Sequence, residues 1–236
     1  MKFTSFASSS RGNAYLLQSD GVSPLLLEAG LPIKQLRDKL RERGVSLSDL
    51  AGCLVSHGHQ DHSKAVKDAL RVGMDVGMSR QSAEVLGVQD HHRVFILEPG
   101  VQKQIGAWTI LPFPAVHDVP CLGFVIGRGE ERLLYLTDSA YVEHRFAGLT
   151  HIMIEANYIG DILSKNILEG NLPTIISKRV RRNHLSLENL IAMLKANDLS
   201  KCRQIFLLHL SDGNSDEKRM RQEVEAATGI PTYPLK

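Results

Sequence analysis

The chain has 236 residues, of which 43% are hydrophobic and 23% charged, with a formal net charge of +2 at neutral pH. That much apolar material builds a full core and excludes a disordered or tail-like polypeptide. Near-neutral charge gives no global argument for or against a polyanionic partner, so any such argument rests on local patches.

Ala14-Tyr15-Leu16-Leu17 and Leu25-Leu26-Leu27 are short apolar runs separated by the turn signal Ser19-Asp20-Gly21, and read as strands. Pro32 opens a helix in which Ile33, Leu36 and Leu40 recur at helical spacing, and Gly44 sits where that helix stops. Cys53-Leu54-Val55 reads as a buried strand running into Ser56-His57-Gly58-His59, and a helix from about Ser63 to Arg71 follows. Short strands and helices then alternate to about Ile96. Trp108-Thr109-Ile110-Leu111, Gly123-Phe124-Val125-Ile126, Arg132-Leu133-Leu134-Tyr135-Leu136 and His151-Ile152-Met153-Ile154 read as β. Leu185, Leu187, Leu190, Ile191 and Leu194 share a helical face. Ile205-Phe206-Leu207-Leu208 is a last strand ending in His209, and a charged helix from Asp216 to Ala227 closes the chain. There is no internal repeat, low-complexity run or linker. The order β-rich, mixed, β-rich, helical predicts an α/β fold, an αββα sandwich of two packed mixed β-sheets flanked by helices, as one domain over residues 1–236.

Cys53, Cys121 and Cys202 are widely separated, odd in number and form no Cys-x-x-Cys pair. This argues against a disulfide framework or a cysteine zinc knuckle and for a reducing compartment. The N-terminus has no basic segment followed by a long apolar one, and no stretch approaches the roughly 18 apolar residues of a membrane span. A soluble, cytoplasmic protein with no membrane partner is expected.

The densest chemical signal is His57-Gly58-His59-Gln60-Asp61-His62, directly after a buried strand. A strand end followed by a loop lets alternate side chains converge, so His57 and His59 can face one point. Asp61 and His62, at the start of the next helix, can turn toward a second. Imidazole and carboxylate suit zinc and other first-row divalent ions. The spacing is wrong for the one-face His-Glu-x-x-His helix site. Three further candidates stand at the tips of apolar strands: His117 after Val116, Asp138 after Leu136-Thr137, and His209 after Leu208.

Ser56-His57-Gly58-His59-Gln60-Asp61-His62 resembles the His-x-His-x-Asp-His signature of the metallo-β-lactamase superfamily, with His117, Asp138 and His209 following in the order of its later metal motifs. The resemblance implies two divalent metal ions, zinc first and manganese second. His57, His59 and His117 would hold one, Asp61, His62 and His209 the other, with Asp138 bridging them. A water or hydroxide between the metals would be the nucleophile.

Further stretches bear on the reaction. His151-Ile152-Met153-Ile154-Glu155-Ala156, then Asn183-His184-Leu185-Ser186, then Leu208-His209-Leu210-Ser211 follow the order of motifs in tRNase Z-type phosphodiesterases. By that similarity His184 is the general acid or phosphate contact and Glu155 its orienting partner, with Asp61 joining them in the catalytic set. Phe6 to Ala14, Leu26-Leu27-Glu28-Ala29-Gly30, Val116-His117-Asp118 with Gly123-Phe124, and Leu208 to Ser211 are similar to the YycJ/WalJ-type nucleases. Glu28 stands where that family usually has Asp, and Asn183 where it usually has Gly. Asp118 is a candidate for fixing a ligand histidine from behind. Lys178, Arg179, Arg181 and Arg182 put four positive charges just before His184, where they could hold a phosphate backbone. Aromatic residues are only 6% of the chain, too few for an extended base-stacking platform.

The expected function is therefore a metal-dependent phosphodiesterase on nucleic acid, with DNA favoured over RNA and a 5′-to-3′ exonuclease favoured by the family resemblance. The alternative is a cyclic-nucleotide phosphodiesterase of the same fold. The superfamily resemblance is also compatible with a homodimer.

Overall fold

The computed structural model describes residues 1–235. The chain forms two compact units, Met1–Pro114 with Val119–Glu130, and Ala115–Asp118 with Glu131–Leu235. The strands make two mixed sheets, of six and seven strands, with helices beside them.

In the first unit the six-stranded sheet runs β1 (Lys2–Ser9), β2 (Gly12–Gln18), β3 (Leu25–Leu27), β4 (Gly52–Leu54), β5 (Val76–Met78) and β6 (Val94–Ile96), in that order. The first three strands are antiparallel neighbours, and β3 to β6 are parallel. Helix α1 (Ile33–Arg41) follows β3, while α2 (Gln60–Ser63) and α3 (Val66–Arg71) follow β4. Helix α4 (Arg80–Leu86) follows β5 and closes on Gly87 at φ 64°. Leu36 and Leu40 of α1, Val66 and Leu70 of α3, and Leu16, Leu26, Val55, Val76 and Met78 of the sheet region form one buried cluster. Strands β7 (Lys103–Ile105), β8 (Trp108–Ala115) and β9 (Cys121–Arg128) are the start of the seven-stranded sheet.

In the second unit β10 (Glu131–Leu136), β11 (His151–Glu155), β12 (Gln204–Leu208) and β13 (Thr232–Pro234) form a parallel ladder. Between β11 and β12 run α5 (Gly160–Leu168), α6 (Thr174–Asn183) and α7 (Leu187–Lys195), and α8 (Glu217–Thr228) precedes β13. Asp216 caps α8 by accepting from the Arg219 N–H, and Ser186 caps α7 by accepting from the Asn189 N–H.

One expectation shifts. The single helix from Ser63 to Arg71 is in fact α2 and α3, interrupted at Lys64-Ala65. Ala29 N–H donates to His62 O and Ala65 N–H to Ala29 O, both at 2.8 Å, so this stretch bonds the exit of β3 as well as its own helix. Helix α6 carries β-branched Thr174, Ile175, Ile176 and Val180, weak helix formers. Its isoleucines Ile175 and Ile176 are 79% and 47% exposed, while Ser177 and Asn183 are buried.

Gly30 lies under this joint. Its N–H donates to Asn13 O at 2.9 Å, and a Cβ there would fall 1.7 Å from the Asp61 carbonyl oxygen. Because the obstacle is backbone, Gly30→Ala is expected to cost at least the roughly 1–3 kcal/mol of core overpacking and to lower the melting temperature by several degrees. A variant melting at the wild-type temperature would show that the segment can step aside.

Candidate metal centre

Parallel strands bring their C-terminal ends to one edge, and the residue beyond each end projects there. In the first unit, register pairs Leu27 with Leu54, which sets Glu28 level with Val55 and within reach of Ser56. The Ser56 N–H donates to the Glu28 carboxylate at 3.1 Å. His57 is buried, and its Nδ1 bonds the Ser56 hydroxyl at 2.9 Å with the Cys121 thiol at 3.7 Å. Its Nε2 meets His59 Nδ1 at 3.0 Å. His59 and Asp61 are half-buried, and His62 is fully buried with its Nε2 3.4 Å from Asp61 Oδ2. The short helix α2 is tied by the Ser63 hydroxyl, which donates to the Gly58 and His59 carbonyls. Among the four motif residues, His57 lies against His59 and Asp61 against His62, with the His57 and His62 rings 4.3 Å apart.

In the second unit, register pairs Leu136 with Ile154 and Ile154 with Leu207, which gathers Asp138, Glu155 and His209 at one edge. Asp138, Glu155, His184 and His209 offer ligand atoms that all lie within 4.8 Å of one another. Glu155 is fully buried and accepts from four donors: the Ser139 N–H at 3.1 Å, the Leu185 N–H at 3.0 Å, His184 Nδ1 at 2.6 Å and His209 Nδ1 at 3.1 Å. Burial alone would raise its pKa, but the His184 charge and these hydrogen bonds bring it below the usual carboxylate value. Burial likewise opposes charging of His184, yet the Glu155 and Asp138 carboxylates outweigh it and lift the imidazole to about 10. His209 shifts upward on the same balance, with burial opposed chiefly by Asp138. The Glu155 carboxylate accepts at both Nδ1 atoms, so each imidazole turns its Nδ1 edge toward that carboxylate.

His117 is placed differently. Its Nδ1 donates to the Asn183 carbonyl at 3.2 Å, and its Nε2 is 3.1 Å from Asp118, to which the Asn183 side chain donates at 2.8 Å. Burial moves its pKa downward, against the pull of Asp138 and Asp118. Asn183 and His184 close helix α6, so that helix carries Lys178, Arg179, Arg181 and Arg182, all exposed, in line with its functional end. His91 and His92 stack on one another with ring centres 4.8 Å apart, away from either donor set in the chain. His151 is buried against the Thr150 hydroxyl, and burial drives its pKa down to about 4.

Sequence reasoning passed over Asn13 and Asn157. The Asn13 amide meets His62 Nε2 at 3.0 Å, and the Asn157 amide donates to the His209 carbonyl at 2.9 Å. A single asparagine within a strand, like Asn13, or just beyond one, like Asn157, carries no periodic signal. Left-handed backbone would have been no easier to foresee: among the described residues the non-glycine positions with positive φ are Glu28 at 63°, Asp138 at 47° and His209 at 53°. Backbone of this kind concentrates where surrounding structure over-determines a site.

A family model described as "Beta-lactamase superfamily domain" matches residues 25–209. The chain is 29% identical over 228 residues to the exodeoxyribonuclease WalJ of Streptococcus pneumoniae, covering 91% of this chain and 83% of that protein. It is 25% identical over 236 residues to the exodeoxyribonuclease YycJ of Bacillus anthracis, covering 95% and 88%. Among solved structures, the metallo-β-lactamase fold protein YhfI from Bacillus subtilis superposes with a TM-score of 0.75 at 16% identity, covering 99% of this chain and 96% of that one.

Proposed function

Since the chain belongs to the β-lactamase superfamily and is a metal-dependent hydrolase of the metallo-β-lactamase fold, we propose that it is a phosphodiesterase acting on nucleic acid, a DNA exonuclease that works 5′ to 3′. The observation that carries this reading is the His184–Glu155 pair at 2.6 Å, within ligand reach of Asp138 and His209. A thioester, with its good thiolate leaving group, has little need of a second acid held beside the metal ligands. A phosphodiester, with its poor alkoxide leaving group, does. The exodeoxyribonuclease names of the WalJ and YycJ relatives support DNA as the substrate.

The donor set fits divalent metal. Two imidazole nitrogens converge at 3.0 Å in His57 and His59, and a carboxylate pairs with an imidazole in Asp61 and His62. His57, His59 and His117 would hold one ion and Asp61, His62 and His209 the other, with Asp138 shared. Bound there, zinc or manganese supplies Lewis-acid neutralisation of the phosphoryl charge and acidifies the attacking water. The protein's own groups do the rest. Glu155 fixes His184 with Nδ1–H inward and Nε2 outward. The His184 side chain is 20% exposed where Glu155 is sealed, so the Nε2 proton can reach a leaving oxygen. Lys178, Arg179, Arg181 and Arg182 line the approach on α6 and take the strand by its phosphates, without reading bases. A reducing cytoplasm suits such a substrate and three cysteines that form no disulfide. Among the described residues no helix is long and apolar enough to cross a membrane.

The test is a cleavage assay on protein stripped of metal and reloaded with zinc or manganese. Substrates are end-labelled double- and single-stranded DNA, matched RNA and cyclic mononucleotides, with Asp61→Ala as the blank. Metal-dependent mononucleotide release from the 5′ end of DNA, absent in the blank, is the expected result. Turnover of cyclic nucleotides with DNA left intact would sink this reading and promote the small-substrate one. Neutralising all four basic residues of α6 is expected to weaken DNA binding and to flatten its log–log salt dependence by up to about 3.6, at roughly 0.7–0.9 per phosphate contact. A salt slope equal to the wild type's would remove α6 from the interface.

A further inference from the structure

We propose that the exposed end of the α5–α6 hairpin is an apolar wedge for duplex DNA: Leu168 and Ile175 enter between base pairs near the duplex end and part its strands, so that one strand follows α6 to His184. The proposal rests on the nucleic-acid reading above and deepens it, naming the form of the substrate and the residues that open it.

Helix α6 has a defined inner side, with Ser177 and Asn183 buried and Val180 half-buried. At about 3.6 residues per turn, the opposite face carries Ile175, Lys178, Arg179 and Arg182, at i, i+3, i+4 and i+7. Arg181 lies off that face, and its guanidinium donates to the Ser164 hydroxyl at 3.2 Å, tying α6 to α5. Among the described residues Lys178, Arg179 and Arg182 have no ion-pair partner. Glu169, the acid of the intervening turn, is engaged by Lys165 at 3.8 Å and by the Asn171 amide at 3.1 Å. The outward face is therefore positive and open to phosphates.

Ile175 heads this row and is 79% exposed, and Leu168, the last residue of α5, is 88% exposed. Single apolar side chains scattered over a surface need no explanation, but here two flank one turn. That turn is braced, with the Gly170 N–H donating to Ile167 O and the Leu172 N–H to Asn166 O, both at 3.1 Å, and the Asn166 amide to Gly213 O at 2.8 Å. The side chains are thus held out on a fixed support.

Along α6 the order is apolar, cationic, acid. Ile175 precedes His184 by nine residues. At about 1.5 Å per residue this is roughly 13 Å along the axis, or about four base steps of a duplex. DNA followed outward from His184 meets the cations first and the aliphatic side chains next. Leucine and isoleucine inserted between base steps unstack them, without the aromatic platform that this chain lacks. A lipid surface asks for a longer apolar stripe than Ile175 supplies on this face, and a two-fold contact with a second copy would set the cations against themselves.

The test is the double variant Leu168→Ser with Ile175→Ser, whose melting temperature is expected to match wild type because both side chains stand in solvent. Metal-loaded full-length proteins are compared on a 5′-labelled blunt duplex and on the same strand alone. The duplex-to-single-strand rate ratio of the variant is expected to fall roughly 10- to 100-fold below that of wild type, the factor that unstacking one base step represents. With 2-aminopurine about four positions from the 5′ end and a chelator present to stop cleavage, wild type is expected to brighten the bound duplex and the variant to leave it dark. An unchanged ratio, an equal fall on both substrates, or no brightening by wild type overturns the wedge and leaves the exonuclease reading standing. The wedge also falls if light scattering shows a wild-type dimer that the variant loses, or if wild type but not the variant binds phosphatidylglycerol vesicles. Cleavage of neither DNA form by wild type overturns the nucleic-acid reading and this proposal with it.

Discussion

Replacing His184 with alanine is expected to lower turnover of DNA by about 10²–10⁴-fold, the usual contribution of a positioned general acid, while leaving zinc content unchanged. The argument is geometric. His184 Nδ1 is engaged by Glu155 at 2.6 Å, and the Leu185 N–H bonds the other oxygen of the same carboxylate at 3.0 Å. The imidazole therefore cannot rotate freely, and its Nε2 is the atom left to serve a substrate. The carboxylates that hold it also keep it protonated, as an acid requires. If its work is protonation, the loss must depend on the leaving group. A phosphodiester with an acidic nitrophenol leaving group needs little protonation, so the same variant should hydrolyse it at close to the wild-type rate. Equal losses on both substrates would mean that His184 binds phosphate instead. A large loss of zinc would place it among the ligands. Glu155→Gln should reproduce the leaving-group dependence, because a neutral amide no longer holds the imidazolium.

The sequence makes the two donor sets legible because both follow one rule. A chemistry-bearing residue stands just beyond an apolar run, as His57 follows Cys53-Leu54-Val55 and His209 follows Phe206-Leu207-Leu208. In a parallel ladder those positions converge, and the registers of β3 with β4 and of β10, β11 and β12 bring them together. Glu28 satisfies the same rule after Leu25-Leu26-Leu27, yet as a lone acidic residue beside Ala29 and Gly30 it reads as an ordinary turn until the fold closes over it. The region after β11 reads as helical, but the bounds of α5 and α6 are less legible, because Leu168 is 88% exposed and Ile175 79% exposed and neither marks a buried face. Asn183 is a further case. Its importance comes from its two contacts, the carbonyl to His117 and the amide to Asp118, which depend on where α6 ends.

Replacing Asp138 should be the most damaging single change in the second donor set, and two variants isolate the cause. Asp138 sits at φ 47°, held there by the loop around it: the Val116 N–H donates to the Ser139 hydroxyl at 3.0 Å, the Ala140 N–H to the Val116 carbonyl at 2.8 Å, and the Ser139 hydroxyl to Tyr141 O at 2.8 Å. That loop ties the Asp138 backbone to the segment that carries His117. Asparagine tolerates left-handed backbone about as well as aspartate, whereas alanine adds roughly 1–2 kcal/mol of strain. Asp138→Asn is therefore expected to melt close to wild type, and Asp138→Ala measurably lower. Both should lose hydrolysis and bound zinc alike, by more than the about 10- to 100-fold typical of a supporting residue, because each removes a charge that no neighbour replaces. Glu155 cannot substitute, since its oxygens are already committed to four donors. Metal analysis beside melting curves tells the two effects apart. An asparagine variant that keeps two zinc ions and full turnover would show that Asp138 shapes the loop and holds no metal.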